Sequence, residues 1–301
     1  METPPQSRPG SGSRLVPGRS RRDTLRLYWR RLRRQPAALV GTGIFLVFIL
    51  LALLGPYVTP YGYADQSTAY RQPPSFSHPF GTDQFGRDVF SRVVAGTRGV
   101  LVLGGIATLL ALLFGTTIGL LSGYRGGLFD EAVMRFFDVF LAIPSLLLAL
   151  VLLATMGPST LNLIMVVVVL YTPMFARVVR SMVLDLKTKE FVEAARLRGE
   201  RGDYILFREI LPNALPPILV EASIRFSYSI FLVASLGFLG LGVQPPSPDW
   251  GLQINEARDW FVSAPWMLLF PAGTIAVLVI ATSLMTDGLR VMLEPGRKDI
   301  R

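Results

Sequence analysis

The sequence predicts an all-α integral membrane protein with six transmembrane helices, and three observations carry that reading. Of 301 residues, 51% are hydrophobic and only 17% are charged, against roughly 25% charged in an ordinary soluble domain. Mean hydropathy is +0.46. The stretches 35–64, 99–124, 139–176, 226–248 and 260–286 carry no charge at all, and each exceeds the roughly 18 residues that a bilayer crossing needs. The pattern excludes an ordinary cytoplasmic enzyme. Cysteine is absent and His78 is the single histidine. A disulfide scaffold, a zinc knuckle, an iron–sulfur site and a cysteine nucleophile are therefore excluded too, little material is left for a histidine-based site, and no metal or catalytic residue is expected.

Residues 1–22 mix Pro, Gly, Ser and Arg without apolar periodicity, so they are expected to form a disordered tail. Over 23–36, Leu25, Tyr28, Trp29 and Leu32 recur at helical spacing among arginines, which predicts a short amphipathic helix in the headgroup layer. The membrane domain then occupies 37–301. Its first span is expected at about 37–55. A basic segment precedes it, but the following GPYVTPYGYADQ offers no small-x-small cleavage site, so a retained helix is predicted, not a signal peptide. An outer segment, 56–98, leads to spans at about 100–122 and 133–155. Gly157-Pro158-Ser159 marks a turn before a span at about 160–178. A cytoplasmic loop follows at 185–212, then spans at about 213–236 and 267–287. Trp250, Trp260 and Trp266 flank the last span and read as an interfacial aromatic belt. His78, beside Pro79, is expected to shape a turn in the outer segment.

Charge distribution orients the chain. With both termini in the cytoplasm, the inner face receives ten basic residues from 1–36, two from 123–138, eight from 177–212 and four from 287–301. The outer face receives Arg71, Arg87, Arg92, Arg98 and Arg258. Twenty-four against five follows the positive-inside rule. The net charge of +9 is thus topology and not a nucleic-acid footprint.

The segment KTKEFVEAARLRGERGDYILFREILP reads as two short amphipathic helices joined at Gly199. Phe191, Ala194 and Ala195 are expected on one face of the first, and Tyr204, Phe207 and Leu211 on one face of the second. Such a projection suits docking to a soluble partner; a plain solvated connection is the competing reading. In the fifth span Glu221 and Arg225 stand four apart with the acid first, the better order for a helical pair. Counted from Pro212, Glu221 lies roughly 13 Å into the helix, a depth that is costly for a lone charge. The two are expected to neutralise each other while facing a translocation path or a subunit interface.

Glu193-Ala194-Ala195, then Gly199, then Leu211-Pro212, between two spans, resembles the EAA motif of ABC-importer permeases. His78-Pro79-Phe80-Gly81-Thr82-Asp83 with Gly86-Arg87-Asp88, Asp138 with Ala142-Ile143-Pro144, the run FLGLGVQPPSPDWG, and Asp287-Gly288-Leu289-Arg290 with Glu294-Pro295 resemble the dipeptide/oligopeptide/nickel branch, most closely its C-type subunit. The likeness covers about 75–296. It departs at Val233, where a glutamate is common, at Gly237, where a serine is, and at Glu221 and Arg225, usually uncharged; these four are expected along the pore or subunit interface. The resemblance implies a type I importer permease fold in a bacterial cytoplasmic membrane. It implies a second permease subunit, two ATPase domains or subunits docked on the coupling loop, and an extracytoplasmic substrate-binding protein. Glu193, Ala194, Ala195, Gly199, Leu211 and Pro212 would then transmit ATPase closure to the pore. Peptides are the implied cargo, with nickel chelates or glutathione as alternatives. No Gly-Lys dipeptide occurs, so a Walker A loop is missing. The chain is expected to bind no cofactor, with ATP and magnesium used by the partner subunits. A secondary transporter would more often show inverted repeats, and a membrane enzyme would need more converging ionisable groups than one pair.

Overall fold

The computed structural model describes residues 35–293. The expected tail at 1–22, nearly all of the interfacial helix at 23–36, and Glu294-Pro295 lie outside the described residues. The helices are α1 (Pro36–Val58), α2 (Val89–Arg125), α3 (Gly127–Ala142), α4 (Ser145–Met156), α5 (Thr160–Leu186), α6 (Glu190–Leu197), α7 (Gly202–Phe238), α8 (Trp250–Ala257) and α9 (Trp266–Leu293). Among the described residues the only strand-like feature is an isolated bridge between Thr82 and Asp88. Helices α1, α2, α5, α7 and α9 are long and apolar enough to cross a membrane, and the bent pair α3–α4, taken as one broken span, brings the number to six.

Three expected boundaries are corrected. The second span does not begin at 100. Asp88 caps the helix by accepting from the Ser91 N–H at 2.7 Å, so α2 starts at Val89 and takes ten residues from the expected outer segment 56–98. The third span is not continuous over 133–155. It bends by 91° between α3 and α4, where Pro144 holds Ile143 in extended geometry. The fifth span does not begin at 213, nor does Pro212 end the preceding loop. Helix α7 runs unbroken from Gly202. A wider π turn at Ile205–Ile210 directly precedes Pro212, where an ordinary turn would set the proline ring against the Arg208 carbonyl.

Packing centres on α2 against α5. Gly115, Gly119 and Gly123 form a stripe with four-residue spacing, the small-residue pattern that lets membrane helices approach closely. A Cβ on Gly119 would stand 2.5 Å from the Ala176 carbonyl, and one on Gly115 2.8 Å from that of Thr172. Leu103, Ala111, Leu163 and Phe175 carry the core to Leu153 of α4 and Leu236 of α7. Val233, 3% exposed, belongs to this core, and Gly237 is buried against Gly251. These two departures from the family pattern therefore sit in interior packing and not along an open pore face.

The outer cap, 59–88 with α8, is held by ionised groups. Arg87 binds Asp83 through Nε and Glu256 through Nη2, the latter at 2.6 Å. Arg92, 1% exposed, lies 3.6 Å from Glu256 and 3.9 Å from Asp83, and donates to the carbonyls of Tyr63 and Ser247. His78 stacks on Tyr61, and its Nδ1 lies 2.9 Å from Asp88. Trp250 is not an interfacial anchor: it is fully buried, touches Phe48 edge-on and donates to the Val93 carbonyl at 2.8 Å. Trp266 donates to Thr82, and Trp260 lies under Arg71.

Candidate functional site

The loop between α5 and α7 builds its geometry from the end of α5. Lys187 donates through Nζ to the Gly123 carbonyl at 3.1 Å, fastening the loop to the end of α2. Lys189 then opens the eight-residue α6, whose first turn carries Glu190 and Glu193 at the positive end of the helix dipole. The helix stops at Gly199, with φ +77°. The Gly199 N–H donates to the Arg196 carbonyl at 2.9 Å, and the Glu200 N–H reaches back to that of Ala195 at 3.2 Å. This pair of bonds is a Schellman stop, and the left-handed residue at its corner favours glycine.

The face expected to hold Phe191, Ala194 and Ala195 together is split. Val192 and Ala195, three apart, are fully buried with Ile205, Leu206, Ile210, Ala214 and Ile218 of α7, Leu120 of α2, and Val179 and Val183 of α5. Phe191 and Leu211 pack only partly against this cluster, and Ala194 faces outward. On α7 the π turn rotates Ile205, Leu206 and Ile210 inward and leaves Tyr204 and Phe207 exposed. Glu193, Ala194 and Ala195 thus do different work. At 100° per residue they cannot share a face, so Ala195 anchors the helix while Glu193 and Ala194 are presented.

What is presented is an apolar surface rimmed by ions. Leu197 is 85% exposed and Phe207 55%, with Tyr204 and Ala194 also open. Around them stand Glu193, Arg196, Arg201 and Arg208, while Arg198 bridges Glu200 and Glu209. A small depression lined by Glu200, Arg201, Asp203, Tyr204, Phe207 and Arg208 marks the same face. Exposed apolar side chains clustered inside a polar rim mark an interaction site. Leu197 was not singled out in the sequence, and the side to which Tyr204 and Phe207 turn was left open there, because helical spacing says which residues share a face and not what that face meets.

Glu221 and Arg225 meet as expected, with Nε to Oε1 at 2.6 Å. Both are partly buried. Because α7 begins at Gly202, the pair lies deeper along its helix than a count from Pro212 gives. Glu221 also lines a cavity of about 490 Å³ between α5, α7 and α9, shared with Asp185, Asn213, Pro217 and Arg290. On the neighbouring side of α7, Tyr228, Ser227, Ser283 and Asp287 line a second hollow. Among the described residues no group of three or more His, Cys, Asp or Glu could hold a metal.

Comparison with known proteins matches residues 115–299 to the family described as binding-protein-dependent transport system inner membrane component. Residues 24–74 match the N-terminal transmembrane domain of oligopeptide transport permease C. A dipeptide transport system permease protein of Alkalihalophilus pseudofirmus is 43% identical over 271 residues, covering 90% of this chain and 89% of that one. A glutathione transport system permease protein of Pectobacterium atrosepticum is 42% identical over 288 residues, 94% and 95% of the two chains. Among solved structures, the MetNI methionine ABC transporter in inward-facing conformations superposes with a TM-score of 0.56 at 20% identity, covering 67% of this chain and 96% of that one. That likeness shows the helical fold.

Proposed function

The chain belongs to the family of binding-protein-dependent transport system inner membrane components, and from that premise we propose that it forms half of a peptide translocation path whose other half is a second permease subunit. It is a multi-pass inner-membrane permease of an ABC importer and a transport subunit, not an enzyme. Substrate arrives from an extracytoplasmic binding protein, and both termini lie in the cytoplasm. ATP and magnesium are used by separate ATPase subunits docked on the loop 185–212. Dipeptides or oligopeptides are the cargo, in line with the dipeptide relatives; glutathione, itself a tripeptide, falls within the same chemistry and is the second reading, favoured by the 42% identical relative.

The observation that carries the coupling role is the double character of α6. Its inner face, Val192 and Ala195, is packed against the ends of α2, α5 and α7. Its outer face, Glu193, Ala194 and Leu197, is open to a partner. A push on one face reaches three spans through the other. Gly199 sets the angle at which α6 meets α7, and Leu211 and Pro212, inside α7, carry the motion from the loop into that span. Glu193 supplies a carboxylate for charge-assisted hydrogen bonds to the ATPase. Glu221 and Arg225 belong to the translocation path or the subunit interface.

Replacing Gly199 by Trp tests this in proteoliposomes holding the complete importer. The variant should insert and assemble, ATP hydrolysis should continue, and uptake should fall to a small fraction of normal. Normal uptake by that variant would remove the coupling role from this loop.

A further inference from the structure

A cavity of about 740 Å³ opens between the outer ends of α1 and α2 and the segment 243–249. Leu51, about two turns inside the end of α1, and Val102 and Leu103, roughly three to four turns inside α2, line its deeper part, and Tyr61 and Tyr63 line its rim. Between them stands Arg98. Its neighbours in the outer segment all have partners: Arg71 lies over Trp260, and Arg87 and Arg92 share Asp83 and Glu256. Arg98 is exposed and makes no hydrogen bond, ion pair or ring contact among the described residues.

Below Arg98 the same face of α2 is apolar and uncovered: Val102, Ile106, Leu109 and Leu113 are all exposed. Gly99 adds no bulk, since a Cβ there would meet nothing within 4 Å. A guanidinium heading a bare apolar stripe at the outer end of a span fits a molecule with an anionic head and a hydrocarbon tail. It does not fit a zwitterionic peptide, whose ammonium group needs a carboxylate. The one acid lining the cavity, Asp249, is 6% exposed and occupied in capping α8, where Oδ1 accepts from the Leu252 N–H at 2.9 Å. We propose that this groove is a binding site for an outer-leaflet phospholipid, with its phosphate on Arg98 and one acyl chain along Val102, Ile106 and Leu109. The site rests on the chain being embedded in a membrane and is independent of what the chain transports.

Native mass spectrometry of the full-length chain, purified with its partner subunits in mild detergent and supplied with phosphatidylglycerol, tests the site. The unaltered protein should retain one lipid that Arg98→Gln binds about tenfold more weakly, the worth of one charge-assisted contact. Gly99→Leu, which has room to fold, should fill the groove and lower retention similarly. Arg258→Gln, an exposed outer arginine beside Asp259, should leave retention unchanged. Equal retention by the unaltered protein, Arg98→Gln and Gly99→Leu would overturn the proposal. So would displacement of the lipid by glycerol phosphate, which would make this a soluble-anion site, or by a dipeptide, which would give the groove to the substrate.

Discussion

At the outer end, residues 59–88 are held to α2 and α8 by ions drawn inside: Arg87 and Arg92 between Asp83 and Glu256. At the opposite end, α6 is held to α2, α5 and α7 by Val192 and Ala195 in an apolar cluster, with its ions left outside. The two attachments respond differently to displacement. A buried ion network is directional, so a small shift leaves charges unpaired in a poorly solvating site. An apolar contact is non-directional and roughly proportional to area, so it survives a tilt or slide. Under the proposed coupling role, the difference suits a rigid platform at one end and a lever that moves under load at the other.

The largest expected effect tests the rigid end. Glu256→Ala leaves Arg87 and Arg92 with a single carboxylate, Asp83, and should destabilise the outer cap by about 3–5 kcal/mol, the usual cost of removing one partner of a buried pair. Thermal unfolding of the purified protein reads this directly. Retention of normal stability would show that the network is hydrated in the membrane and would dissolve the contrast. Next comes the lever: Val192→Ala removes two buried methyl groups and should cost about 2 kcal/mol. The loss should appear as faster amide exchange confined to 190–199, whereas Glu256→Ala should loosen 59–88.

The third effect is smaller because it acts on backbone alone. Gly199→Ala meets no neighbour but forces a side chain into a left-handed residue at φ +77°. That should cost about 1–2 kcal/mol and raise exchange at the Glu200 amide, which closes the turn onto Ala195. An unchanged exchange rate would mean that the turn is set by packing on either side and not by the glycine.

The lever was more legible than the platform for physical reasons. A left-handed turn demands a residue type, so Gly199 is visible, and Glu193, Ala194 and Leu197 lie within one eight-residue helix, local in sequence. Spacing put Tyr204, Phe207 and Leu211 on one face; Tyr204 and Phe207 are exposed together, but Leu211, beyond the π turn at Ile205–Ile210, packs partly against the inner cluster. The platform depends on Arg87 and Glu256, 169 residues apart, and no periodicity or spacing reports such a pairing. Reading Arg92 and Arg98 as loop charges set the second span at 100; one is paired and internal, so the helix begins at Val89. The bend at Pro144 was present in the sequence as a proline, but hydropathy averaged over a window does not register direction.

The smallest expected effect separates burial from ion pairing within the platform. Asp249 is an acid of the outer end whose resolved influences contain no cation. Burial pushes its carboxyl upward, and backbone N–H groups of Leu252 and Gly251 pull it only partly back. For an acid whose folded pKa is raised, the protonated form is favoured by folding, so that stability is fully present below the unfolded carboxylate pKa. It is lost as pH rises through the folded value. Asp249→Asn keeps an oxygen to accept from Leu252 but carries no charge. At neutral pH the variant should therefore match or exceed the unaltered protein in melting temperature, and the advantage should shrink as pH is lowered through the carboxylate range. Glu256→Gln, by contrast, should be destabilising at neutral pH, since there the charge itself balances two arginines. If Asp249→Asn is instead clearly destabilising at neutral pH, the Asp249 carboxylate also answers a cation, with Arg98 across the same cavity the first candidate, and the ionic platform extends one residue further than the contacts assign to it.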